Sequence, residues 1–430
     1  MNQLNRVILH ADLNGFYASV ECLYQPKLWK KPMIVCGDPE SRHGIVLAKN
    51  QPAKQFKIKT GEAIWQAKAK CPDLICLPAD YQKYLTYSRL TRQILADYSD
   101  QIEAFGLDEA WLDVSGSVRL LGSGPELADQ IRQRVRSELG LTCSVGVSFN
   151  KIFAKLGSDL RKPDATTVIT REHFRDIVWP LPVGELLYVG PSTRRRLGRI
   201  GIRTIGALAA MRLSDVRALL GKWGETLWLF ANGRDSAPVQ HSDFHEAIKS
   251  VGNSTTTPRD LENENDVRLI FFVLAESVAA RLRQYGLKGQ TVQIYIRDNQ
   301  LAGIERQGRL SQATDLSTEL ALPGLELFRQ HYDWRNPIRS LGIRATNLVT
   351  ADQLTQLSWF SDEERRDRQR SLEQTIDSLR SRFGHFSVQR GLMLADRPLS
   401  GLNPRDAHQI HPIAFRNHDA AVLDPRDQEI

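Results

Sequence analysis

Residues 106–114, GLDEAWLDV, set two adjacent carboxylates, Asp108 and Glu109, into an otherwise apolar run. Phe105, Gly106 and Leu107 precede the pair, and Ala110, Trp111 and Leu112 follow it. Taking an ion out of water costs on the order of several kcal/mol unless a partner offsets it. A chain that keeps this pair in an apolar run must fold so that something neutralises both charges. The wider pattern, QIEAFGLDEAWLDV, reads as strand, tight turn and strand, which puts the pair at a hairpin tip.

A third carboxylate has a similar setting. RVILHADLNGFYASVECLY reads as a strand from Arg6 to Ala11 that runs into a helix near Phe16, with Asp12 at the strand's C-terminal end. In α/β folds, strand ends are where ligands gather. Adjacent strand residues face opposite ways, but at a hairpin tip two neighbours can converge with a third group from the next strand. Three converging carboxylates repel one another unless a cation neutralises them. Hard oxygen donors suit Mg²⁺ or Mn²⁺, and two such ions clamp an in-line phosphoryl transfer. A solvated acidic turn fits the same dipeptide, and spacing alone leaves both readings open.

The bulk properties narrow the class. The chain has 430 residues, room for about two to four domains. With 41% hydrophobic residues it builds real cores and is not disordered as a whole. A formal charge of +7 and an isoelectric point near 9.1 favour a polyanionic partner such as nucleic acid. Cys22, Cys36, Cys71, Cys76 and Cys143 are scattered and form no C-x-x-C pair, against a disulfide framework or zinc site and in keeping with a reducing cytosol. The N-terminal apolar run meets Asp12 too soon for a secretory signal, and no stretch approaches the ~18 apolar residues of a membrane span. The expectation is a soluble, cytoplasmic protein with no membrane association.

Periodicity divides the chain. The first ~165 residues mix strands and helices in α+β order. From about residue 180 the texture becomes helical and punctuated by glycine, as in LLYVGPSTRRRLGRIGIRTIGALAAM (186–211). Residues 236–249 have no clear period and read as a linker. A second α/β unit runs from about 250 to 348, with an amphipathic helix at 267–284 and a period-two strand in GQTVQIYIRD. A tail follows. In it, Ser361 and Glu364 form a capping box, Leu372, Ile376, Leu379 and Phe383 form a narrow apolar stripe, Gly384 marks a stop, and the rest looks irregular.

Five motifs occur in order: ADLNGFYASVE, FGLDEAWLD, SVGVSFNKIFAKLGSDLRKP, the glycine-punctuated helical unit and IKSVGNSTT. Together, over about residues 6–348, they resemble the Y-family, or translesion, DNA polymerases near the DNA polymerase IV and UmuC-type branches. The resemblance implies an α+β multidomain right-hand polymerase: palm at 1–17 and 79–170, fingers at 18–78, helical thumb at 171–236, linker at 237–248, little finger at 249–349 and tail at 350–430. It implies template-directed, low-fidelity synthesis past lesions, in which the primer 3′-hydroxyl attacks the α-phosphate of a deoxynucleoside triphosphate. It also implies two Mg²⁺ ions, with Mn²⁺ as a substitute, held by Asp12, Asp108, Glu109 and the backbone carbonyl of Leu13. Asn14 stands where a second aspartate is common.

The same resemblance assigns the surroundings. Phe16 and Tyr17 begin a helix beside the acidic residues, and Tyr17 holds the place of a steric gate against a 2′-hydroxyl. Lys162 matches a lysine that meets the incoming triphosphate. Gln51 and Lys54 stand where a tyrosine and an arginine are common, and Lys54 keeps a positive charge without the bidentate fork. Gly190 with Arg194, Arg195 and Arg196 resembles a helix-hairpin-helix that offers backbone N–H groups and charge to a DNA phosphate, with Ser192 in place of a second glycine. QLSWF resembles the bacterial sliding-clamp pentapeptide, with Gln356, Leu357, Trp359 and Phe360 as anchors. The implied partners are primer–template DNA, deoxynucleotides and the clamp, for a monomeric enzyme. Two other readings compete: a nucleotide cyclase on a palm-like fold, and a catalytically silent DNA- and clamp-binding scaffold.

Overall fold

A computed structural model of the chain describes residues 6–38, 44–244, 247–353 and 362–404. Among these, residues up to 244 form one compact unit and residues from 247 form another.

The first unit holds strands β1 (Ile8–Leu13), β2 (Met33–Cys36), β3 (Val46–Lys49), β4 (Ile75–Pro78), β5 (Ile102–Ala104), β6 (Glu109–Asp113), β7 (Cys143–Ser148) and β8 (Thr166–Ile169). Its main sheet has the order β5-β6-β1-β7-β8. The central strand β1 pairs antiparallel with both β6 and β7, and every one of its residues is buried. A strand covered on both faces reads as a continuous apolar run, as ILHADL nearly does. A smaller sheet, β3-β2-β4, carries the helices Gln51–Gln55 and Ile64–Lys70, the two pieces the sequence splits near Thr60 and Gly61.

Two glycines set the main sheet's surroundings. Gly15 has φ +57 and turns the end of β1 into the helix Phe16–Tyr24 at once. Gly146 in β7 lies against the helix Lys151–Leu160 so closely that a Cβ there would sit 1.9 Å from the carbonyl oxygen of Ala154. That helix begins on Asn150, whose side chain accepts from the Phe153 N–H. It buries Ile152, Phe153 and Leu156 in a core shared with Leu197, Ile205, Leu208, Val216 and Leu227 of the helical segment. The described residues of the period-less stretch, 236–244 and 247–249, form neither helix nor strand, and its first part is tied down: Val239 is buried, Gln240 N–H donates to Glu103 at 3.0 Å and Ser242 N–H donates to the Asp100 carbonyl at 2.9 Å.

The second unit is an antiparallel sheet of β9 (Ser250–Leu261), β10 (Leu287–Asp298), β11 (Gly303–Thr314) and β12 (Ile338–Thr350), in the order β11-β10-β12-β9. Two helices, Glu264–Gln284 and Ser317–His331, pack on it. The first is more than amphipathic. It buries fourteen residues between Asp266 and Leu282, because other helices cover the sides that the sheet does not.

This unit continues past residue 349, where the sequence places a tail. A helix, Glu363–Phe383, returns to it, and Met393 and Leu399 join its core. Ser361 lies outside the described residues, and the helix is capped by Asp362, whose side chain accepts from the Arg365 N–H. The apolar stripe is not its packing face. Leu372 and Phe383 are 59% and 65% exposed, while Glu373 is buried. Periodicity shows that a helix has an apolar side but not which side meets a neighbour.

Candidate active site

The register of the main sheet builds the site. Asp12 stands directly opposite Glu109, and the Leu13 N–H donates to the Asp108 carbonyl at 2.9 Å. The hairpin between β5 and β6 is closed by the Phe105 N–H donating to the Glu109 carbonyl at 3.0 Å. Asp12, Asp108 and Glu109 therefore meet at one end of two neighbouring strands, as the hairpin-tip argument expects.

Lysine compensates them. Lys155, on the helix Lys151–Leu160, puts its Nζ 3.2 Å from Asp12 Oδ2 and in closer contact with Glu109 Oε2. Lys162 lies 2.7 Å from Asp12 Oδ2 and 2.8 Å from Asp159 Oδ1. Two ammonium groups do not match three gathered carboxylates. Burial, then the neighbouring Asp12 charge, pushes the Asp108 carboxyl up to about 6. Burial likewise raises Glu109 to about 7, against the pull of Lys155. Lys155 is raised as well: burial opposes its charge, but Glu109 and Asp12 outweigh burial and hold the ammonium protonated.

A cavity of about 410 Å³ opens above these groups. Its wall brings together Asp12, Leu13, Phe16, Tyr17, Lys54, Asp108, Glu109 and Lys162, all singled out in the sequence. Gln51 is not in the wall; it is the exposed first residue of its helix. The wall also contains Lys49, Thr60, Lys155 and Asp159, which motif reading missed. Lys155 had a signal: a lysine among Phe153, Ala154, Leu156 and Gly157, on a helix buried on most sides, needs an acidic partner.

Tyr17 is held firmly. Its ring stacks on Tyr84 at 4.3 Å and 16°, and the Tyr84 hydroxyl donates to the buried Glu21 at 2.8 Å. Burial, then the Asp108 charge, raises the Tyr17 phenol and keeps it protonated. Asn14 is part of the frame: its amide donates to Ser144 Oγ at 3.0 Å and its carbonyl accepts from the Asp164 N–H at 2.8 Å, which fixes the segment just after Lys162. A neutral amide supplies both bonds, and an aspartate would lack the donor.

The basic helical segment lies elsewhere in the unit. Gly190 is the N-cap of the helix Pro191–Arg199, and Arg194, Arg195 and Arg196 are exposed along it. Arg196 also donates to the Leu219 carbonyl, so part of its role is to join helices. Gln356, Leu357, Trp359 and Phe360 fall outside the described residues.

Known proteins carry the same organisation. The model of the impB/mucB/samB family matches residues 11–159, and that of its C-terminal domain matches residues 248–359. The chain is 52% identical to a DNA polymerase IV of Acetivibrio thermocellus over 397 residues, covering 92% of this chain and all of that one. It is 37% identical to DNA polymerase IV 1 of Bacillus subtilis over 395 residues, covering 91% and 94% of the two chains. Among solved structures, a Y-family DNA polymerase chimera shares the fold, with a TM-score of 0.72 and 24% identity, over 80% of this chain and 99% of that one.

The chain belongs to the impB/mucB/samB family, the Y-family of translesion DNA polymerases. It is a DNA-directed DNA polymerase of the DNA polymerase IV type, and these relatives do not favour a cyclase or a silent scaffold. Enzymes of this family depend on a metal, and the carboxylate cluster suits one. No helix among the described residues is long and apolar enough to cross a membrane.

Proposed function

We propose that Asp12, Asp108 and Glu109, with the Leu13 carbonyl, hold two divalent cations for nucleotidyl transfer onto a primer terminus. The observation that carries this reading is the excess of gathered carboxylate over lysine at the floor of the cavity. An all-oxygen donor set favours Mg²⁺, with Mn²⁺ as a substitute. When bound, the ions neutralise charge on the attacking and leaving oxygens. The chain's own groups do the rest. Lys49, Lys54, Lys155 and Lys162 give the cavity a cationic wall for a triphosphate. Tyr17, locked by its stack on Tyr84, bounds the space beside the sugar and excludes a 2′-hydroxyl.

The parts divide as the family suggests: palm at 1–17 and 79–170, fingers at 18–78, thumb at 171–236 and little finger from 249. To the last we add the described residues 363–404, which share its core. Gly190, Arg194, Arg195 and Arg196 contact DNA phosphates, and QLSWF docks on the sliding clamp of a cytoplasmic, monomeric enzyme. Primer extension with four deoxynucleotides and Mg²⁺, on intact and abasic templates, tests the activity. Template-directed products on both are expected, and folded protein that yields none with Mg²⁺ or Mn²⁺ overturns the reading.

A further inference from the structure

The acidic site has a neighbour one row deeper in the sheet. Residues two apart on a strand share a face, so β1 sends His10 and Asp12 to the same side. There β6 sets Trp111 opposite His10 and Glu109 opposite Asp12. His10 is fully buried and meets the Trp111 ring edge-on at 5.2 Å.

The hydrogen bonds fix which ring nitrogen carries the proton. Ser158 Oγ donates its hydrogen to the Lys155 carbonyl at 2.7 Å. It therefore accepts from His10 Nδ1–H, 2.9 Å away. Nε2, the other ring nitrogen, faces the acidic pair. It has no hydrogen-bond partner, and it lies 3.5 Å from Glu109 Oε2. A buried ring nitrogen left without a partner beside two carboxylates is a donor that a cation could complete. Donor atoms of His10, Asp12 and Glu109 all fall within 4.8 Å of one another.

One imidazole nitrogen with two carboxylates is not a donor set for Mg²⁺. It suits the borderline first-row cations, which imidazole binds well. We propose that His10 Nε2, Asp12 and Glu109 form a mixed nitrogen–oxygen site for a transition-metal cation such as Zn²⁺, which displaces the Lys155 ammonium. The inference rests on the reading of Asp12 and Glu109 as cation ligands and adds the nitrogen. Because the two carboxylates are shared, Zn²⁺ bound here competes with Mg²⁺ for the groups that support synthesis.

The test uses the full chain without DNA, with ring nitrogens of histidine ¹⁵N-labelled, and titrates it with Zn²⁺. One histidine Nε2 resonance is expected to move to a metal-bound position, and that resonance is absent in His10→Phe. The Zn²⁺ affinity of His10→Phe should fall about 10–100-fold. Lys155→Gln, which removes the resident ammonium, should bind Zn²⁺ more tightly than the parent and still show the nitrogen signal; unchanged or weaker binding overturns the displacement. Zn²⁺ binding with no nitrogen shift, and equal affinity in His10→Phe, overturns the inference and leaves the carboxylate reading intact. No Zn²⁺ binding alongside normal Mg²⁺-dependent primer extension also overturns the inference alone. Loss of both Zn²⁺ binding and extension in folded parent protein overturns both readings.

Discussion

Both units bury carboxylates, and they compensate them in opposite ways. In the second unit Glu373 accepts from the Ser317 N–H at 3.1 Å, from Ser317 Oγ at 2.6 Å and from Arg283 at 2.6 Å. Ser317 opens a helix, so the carboxylate also sits at the positive end of a helix dipole. Glu276 is matched in the same way by Arg380 at 2.8 Å and Arg390 at 2.6 Å. Both of these carboxylates are met by planar guanidinium groups. At the acidic site of the first unit, three carboxylates share two flexible lysines, and two of them are held well above the usual carboxylate range. A saturated network fastens one element to another. An undersaturated one keeps affinity in reserve for a ligand.

This contrast breaks first at the acidic site. Asp108→Ala or Glu109→Ala should lower primer extension by about 10²–10³-fold or more, measured under single-turnover conditions, with far-ultraviolet circular dichroism unchanged. Equal extension would show that the cluster is merely a solvated turn. The second unit should respond in stability instead. Glu373→Ala removes one of the two carboxylates on the buried Arg283, leaving Asp377 at 2.8 Å, and strips the Ser317 N–H and hydroxyl of their acceptor, a loss of about 1–3 kcal/mol. Urea unfolding reads that loss, and limited proteolysis should show cleavage within Glu363–Phe383.

Tyr17→Ala should raise ribonucleotide insertion about tenfold or more relative to the parent, in competition assays, because it removes the ring proposed to bound the sugar. A subtler effect is on pH. Without metal, the Asp108 carboxyl titrates near 6 in the fold, against an ordinary 3.8. A raised carboxyl favours the fold most when protonated, so its contribution is present below about 4 and is lost as pH rises through about 6. Asp108→Asn should therefore match the parent's melting temperature near pH 4 and exceed it at pH 8 in the metal-free chain. The smallest effect is on the helix Pro191–Arg199. Arg195→Ala should weaken DNA binding about equally across sequences and reduce the salt slope by about 1, in fluorescence anisotropy at several salt concentrations.

Local chemistry made much of this legible. The hairpin around GLDEAWLDV and the turn after Asp12 each depend on a few consecutive residues, and each was readable from them. The α+β order and the helical segment followed from periodicity. What escaped the sequence depends on partners far along the chain. Lys155 meets Asp12 across 143 residues, and Arg283 meets Glu373 across 90. The LSGLNP segment looked irregular because its one buried leucine, Leu399, sits in a short helix that packs on the helix Glu264–Gln284 and on β9, more than a hundred positions earlier. The helix Glu363–Phe383 misled for the same reason: its apolar stripe is visible in sequence, but its docking face is made of charges whose partners are distant.

In the proposed function, divalent cations take the place that lysine holds at Asp12, Asp108 and Glu109. Crystals of the full chain with primer–template, a non-hydrolysable deoxynucleotide and Mn²⁺, measured at the manganese edge, test this most directly. Anomalous peaks among the three carboxylates are expected, with the Lys155 ammonium withdrawn from Glu109. An ordered nucleotide in the cavity with no anomalous signal, and Lys155 still bridging Asp12 and Glu109, would contradict it.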